Sequence, residues 1–120
     1  MLENKNIESY PFEDKLLDLT KLEIGKVYPS FDDGKIKPSR LCFIKIKEKL
    51  DDGYIVDVEW DKDVVALNQK MVYTNEHRSL RSLNSFGGVI TNNIYDIIND
   101  LYINGYLYED ELEPSILKNS

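Results

Sequence analysis

Hydrophobic and polar residues alternate most regularly between positions 41 and 60. From Leu41 to Lys47, Cys42, Ile44 and Ile46 fall on one side of an extended chain. Phe43, Lys45 and Lys47 fall on the other. From Tyr54 to Trp60, Tyr54, Val56, Val58 and Trp60 form an apolar row opposite Ile55, Asp57 and Glu59. Asp51-Asp52-Gly53 separates the runs and predicts a β-hairpin. Side chains alternate with period two, so both apolar rows reach one core only if an odd number of residues intervenes. A three-residue loop with Gly53 in the left-handed region satisfies that condition. In the resulting register Leu50 faces Tyr54, Ile46 faces Val58 and Ile44 faces Trp60. On the polar side Lys47 meets Asp57 and Lys45 meets Glu59. Glu48 is the exception, since this register turns it inward opposite Val56.

The remaining pattern is shorter in range. Phe12, Leu16 and Leu19 share a helical face in a lead-in segment over residues 1–20. Leu22 to Phe31 reads as a first strand, with Gly25 as an interruption. Pro29 marks a sheet edge at its end, because proline has no N–H to donate. Residues 64–74 hold two apolar runs split by Asn68-Gln69 and suit two short strands. Residues 75–90 are irregular and read as a long loop with one helical turn. Over 91–103, Ile94, Ile97, Ile98, Leu101 and Tyr102 recur at helical spacing, with Thr91 or Asn92 as cap and Gly105 as terminator. Asn104-Gly105 between two apolar triplets is also a hairpin signal, but the complete helical spacing favours the helix. Residues 109–120 form an acidic tail, expected to be frayed or extended. The fold class that follows is α+β, with residues 21–108 as a single domain. A bent antiparallel sheet or small open barrel of about five strands is covered by one helix.

Composition narrows the setting. The chain has 120 residues, 42% apolar and 31% charged, which excludes a disordered or membrane-spanning chain. Eight tyrosines against four phenylalanines and one tryptophan make the phenol ring the main aromatic filler. Cys42 is the single cysteine, so no intrachain disulfide forms. Its apolar flanks make it a buried small side chain in a reducing compartment. No leader-like run opens the chain, and a cytoplasmic location is expected. The formal net charge of −7 argues against phosphate-backbone binding and for a basic partner.

Three groups of residues invite a chemical reading. Asp32-Asp33-Gly34 and Asp51-Asp52-Gly53 are acidic turns, but neither has the alternate spacing of a calcium loop. Asp57, Glu59 and Asp61 line one strand face with Asp63 just beyond. They support a metal-dependent hydrolase or nuclease, with Asp32 and Asp33, as the alternative to solvated charge. His77 is the only histidine. It sits with Arg78 and Arg81 in a loop that could dock an acidic or phosphorylated group. No nucleophile elbow or phosphate loop is present. No catalytic residue, metal or cofactor is therefore expected. The candidate contact residues are Tyr28, Phe31, Asp32, Asp33, Arg40, His77, Arg78 and Arg81, in a protein that binds another protein or a second copy of itself.

The segment Leu22-Glu23-Ile24-Gly25-Lys26-Val27-Tyr28, then Phe31-Asp32-Asp33-Gly34-Lys35-Ile36 and Ser39-Arg40, resembles the opening of a family of small accessory proteins. That family belongs to gut-bacterial mobile elements and phages. The resemblance implies a bacterial, cytoplasmic, non-housekeeping setting, and the function expected is that of a non-enzymatic accessory or regulatory protein. Inhibition of a basic host protein by an acidic surface is a further expectation.

Overall fold

A computed structural model describes residues 16–32, 41–60, 62–74, 76–83 and 88–118. Six strands run in chain order: β1 (Val27–Asp32), β2 (Leu41–Leu50), β3 (Gly53–Trp60), β4 (Asp63–Thr74), β5 (Ser79–Ser82) and β6 (Gly88–Thr91). Helix α1 (Ile94–Ile103) follows, then a 3-10 turn (Glu109–Leu112) and the single turn α2 (Ser115–Lys118). Each strand pairs antiparallel with the next. β6 returns to β1 through Phe31–Val89 and Asp32–Gly88, so the sheet closes into a barrel. The expected bent antiparallel sheet or small open barrel of about five strands is thus a small antiparallel barrel, closed and of six strands.

The missing strands come from residues 75–90, where β5 and β6 replace the expected loop. Each has only four residues, and Ser79-Leu80-Arg81-Ser82 shows no apolar alternation. Their pairing is imposed by long neighbours, with β5 held against Met71–Thr74 of β4. Residues 64–74 form one strand, not two. Asn68 at φ +56° makes the bulge that allows a single strand to bend there.

The β2–β3 hairpin carries the two expected apolar rows, and Cys42, Ile44, Ile46, Tyr54, Val56 and Val58 are all fully buried. Its register differs from the expected one. Ile44 faces Val58, Cys42 faces Trp60 and Lys45 faces Asp57. The turn has two residues, Asp51 and Asp52, because Leu50 pairs with Gly53. The extra residue demanded by parity is Lys47, a bulge in β2 between Ile46 and Glu48. Glu48 is consequently exposed. A Cβ on Gly53 would collide with the Met71 carbonyl, so glycine is required where β3 crosses β4.

Pro29 fits its place without loss. Ile46 N–H donates to the Lys26 carbonyl at 3.0 Å. Alternation from that bond makes Pro29–Phe43 a non-hydrogen-bonded pair, so no bond to β2 is missing. The edge expectation holds only locally, since β6 reaches β1 at Phe31 and Asp32.

Helix α1 adds Ile94, Tyr95, Ile98 and Tyr102 to the barrel core, and its strand neighbour is β1. The helix reading of 91–103 prevails over the hairpin. Gly105 N–H donates to Tyr102 C=O, and Tyr106 N–H to Leu101 C=O. These are the two bonds of a Schellman terminator, with Gly105 at φ +80°. The acidic tail, described as far as residue 118, folds back in a 3-10 turn and α2. Leu107, Leu112 and Pro114 are buried, and α2 docks on the outer face of β3. Within the lead-in, Leu19 is buried in a 3-10 turn, Leu16 is exposed, and Phe12 lies outside the described residues.

Candidate interaction site

Two hairpin turns meet at one end of the barrel. The β2–β3 turn supplies Asp51 and Asp52, and the β4–β5 turn supplies Glu76 and His77. Between them Val72, Tyr73 and Thr74 of β4, with Leu83, form the floor and wall of an open depression of ≈ 680 Å³. The turns are adjacent because β3 pairs with β4 from Gly53–Val72 onward, and Tyr73 N–H donates to the Asp52 carbonyl at 3.0 Å. Glu76 and His77 both have positive φ, +58° and +69°. Two successive left-handed residues are unusual outside glycine and bring the chain round sharply. The turn sets the His77 ring against Tyr73, centroids 4.5 Å apart.

The aromatic wall continues inward. Tyr73 meets Tyr54 edge to face at 6.1 Å. Lys49 donates to the Tyr73 hydroxyl at 3.1 Å and lies 5.2 Å from the centre of the Tyr54 ring. The depression itself is acidic, with Asp51, Asp52 and Glu76 on its rim. Lys70 sits 3.1 Å from Asp52 and is not a lining residue.

Among the described members of the eight expected contact residues, only His77 lines the depression. Tyr28 is a correction: it is only 3% exposed, and its hydroxyl accepts from Glu23 N–H at 3.0 Å. The cause is that β1 is buried at every position from Val27 to Ser30, leaving no outward side to its alternation. Phe31 is half-buried against the core. Asp33 and Arg40 lie outside the described residues, as does the side chain of Asp32. His77 stands among carboxylates. Arg78 and Arg81 are exposed outside the depression, one on the turn and the other in mid-strand. The expected cluster of three basic residues is therefore split, and its histidine belongs to an acidic site.

The acidic stripe on β3 has structural work. Asp57 accepts the Asn68 N–H of the β4 bulge at 3.0 Å and lies 3.4 Å from Lys47. The expected Lys47–Asp57 pair is thus present. Glu59 is fully buried and faces Phe43 rather than Lys45. Its carboxylate accepts Ser115 N–H at 2.9 Å and Ile116 N–H at 3.1 Å, and the Ser115 hydroxyl lies against it. Burial pushes the Glu59 carboxyl above its usual range, opposed by those backbone donors. Among the described residues no three His, Cys, Asp or Glu side chains converge as a metal site, and no helix is long and apolar enough to cross a membrane.

The depression escaped sequence reasoning because Asp51-Asp52 and Glu76-His77 become neighbours only once β5 exists. The available signal was the second turn itself, Asn75-Glu76-His77, following the aromatic end of a strand. The chain matches no protein-family model, no curated protein and no solved structure.

Proposed function

We propose that the protein is a non-enzymatic interaction module that receives a basic group, a lysine or arginine side chain of a protein partner, at the end of its barrel. One observation carries this reading: two separate turns bring Asp51, Asp52 and Glu76 around the Tyr73–His77 aromatic wall. A guanidinium or ammonium group gains from the carboxylates at the rim, beside an aromatic wall that already holds Lys49 5.6 Å from the Tyr73 ring centre. The net charge of −7 adds long-range attraction for such a partner. An accessory or regulatory role in a bacterial mobile element is consistent with the resemblance of the Leu22–Arg40 segment.

A fluorescent arginine- and lysine-rich peptide tests the proposal by anisotropy. Binding is expected at low salt and should weaken as salt rises. The triple variant Asp51→Asn, Asp52→Asn, Glu76→Gln should lose it. Neutralising three exposed carboxylates elsewhere, Glu48, Asp96 and Asp100, should leave it in place. Equal loss in both variants would show general charge attraction and reject the site.

A further inference from the structure

Asn104 and Gly105 end helix α1, and the same two residues form a chemically labile pair. Asparagine is thermolabile because its side-chain amide can be lost. A following glycine favours that loss, since no side chain hinders the approach of its amide nitrogen. Asn104 is the only asparagine in the chain followed by glycine. Both residues are exposed, so water reaches them. The helix terminator nevertheless holds the groups that would react. Gly105 N–H donates to Tyr102 C=O at 3.1 Å, and Asn104 Nδ2 donates to Asp100 C=O at 2.8 Å. Asn104 sits at ψ 6°. At that angle the Gly105 nitrogen eclipses the Asn104 nitrogen and stands away from Cβ, so it meets Cγ only after rotation about Cα–C. The buried side chains of Tyr102 and Leu107 pin the chain on either side of the pair and resist that rotation.

We infer that Asn104-Gly105 is a deamidation site that the folded end of α1 keeps latent and that opening of the last helical turn releases. In the reaction the Gly105 amide nitrogen gives its proton to solvent base and attacks Asn104 Cγ. A C–N bond forms, the Cγ–Nδ2 bond breaks, and the side-chain nitrogen leaves as ammonia. Water then opens the cyclic imide at either carbonyl and leaves aspartate or isoaspartate. One water is consumed and one ammonia released, with no oxidation. The product does not rebuild the terminator. Its carboxylate has no N–H to give to Asp100 C=O, and it puts a negative charge at the negative end of the helix dipole. The last turn of α1 carries no basic residue to offset that charge. Isoaspartate also adds a methylene to the main chain, which moves the Gly105 and Tyr106 donors off their acceptors. Conversion is therefore one-way and leaves the end of α1 more open than before.

Mass spectrometry of the full chain tests this. The protein is incubated in mildly alkaline buffer and digested under acidic conditions that halt the reaction, and chromatography separates aspartate from isoaspartate at Asn104. The folded chain should convert at least about tenfold more slowly than the same chain in guanidinium chloride, since only the opened fraction reacts. Leu107→Ala withdraws one buried pin. It should speed conversion in the folded chain by about threefold or more, together with amide exchange at Gly105 and Tyr106. Thermal melts confirm that the variant is folded, and Leu107→Val takes its place if it is not. Equal rates in the folded and unfolded chains overturn the inference, as does an Asn104 that converts in neither. So does a folded variant whose Gly105 amide exchanges faster while conversion at Asn104 stays unchanged.

Discussion

The Tyr54 hydroxyl donates to the Leu19 carbonyl at 2.7 Å and accepts the Leu22 N–H at 3.2 Å. One phenol on β3 thus holds the segment that precedes β1. Tyr54→Phe would leave a buried carbonyl and a buried N–H unsatisfied, at about 1–3 kcal/mol. Chemical denaturation should read that loss, and amide exchange should quicken at Leu22. Burial chiefly, with the neighbouring Tyr73, pushes the Tyr54 hydroxyl up to about 12. A folded value above the unfolded one gives stability that is complete below about pH 10. It is lost as pH rises toward 12. The wild type should lose stability in that window more steeply than Tyr54→Phe.

Glu59 is the anchor of the C-terminal segment. Glu59→Ala removes the acceptor for the Ser115 and Ile116 amides and should destabilise by about 1–3 kcal/mol. Limited proteolysis should then cut within residues 109–118 before the barrel. The pH response has a definite sign. The carboxyl titrates above its ordinary value when folded. Its contribution is therefore greatest below the unfolded value near 4.3, and declines as pH rises through the folded one. Stability differences between wild type and Glu59→Ala, measured from pH 4 to pH 7, should narrow toward neutrality. A gap that widens instead would show that the hydrogen bonds to Ser115 and Ile116 outweigh the cost of burial.

Gly53 permits a close backbone approach between β3 and β4. Gly53→Ala drives a methyl into the Met71 carbonyl, where only backbone movement gives relief. The loss should be about 1–3 kcal/mol or more, as for overpacking elsewhere. It should also open the Gly53–Val72 pair that joins the two turns around the depression. Thermal melting of Gly53→Ala against Gly105→Ala separates collision from backbone preference. An alanine at Gly105 meets no atom within 4 Å and bears only its positive φ.

Local patterns were enough for particular elements. Alternation in Cys42-Phe43-Ile44-Lys45-Ile46 and in Tyr54 to Val58 determined which side chains enter the core, because strand geometry has period two regardless of partner. Helical spacing from Ile94 to Tyr102, ended by Gly105, determined α1. Parity even required an extra residue in the hairpin. Its location at Lys47, not in the turn, depended on how β2 and β3 twist together.

What only the tertiary structure decided was every pairing between distant segments. Ser79–Ser82 has no strand pattern of its own and becomes β5 because Met71–Thr74 and β6 supply its hydrogen-bond partners. Tyr28 was legible as an aromatic on a strand, but its burial follows from both faces of β1 being covered. Glu59 reads as a surface charge until Ser115 docks on it. The depression arises where the β4–β5 turn meets the β2–β3 turn through the Gly53–Val72 pairing. That pairing sets Glu76-His77 beside Asp51-Asp52, and no local preference along the chain encodes it.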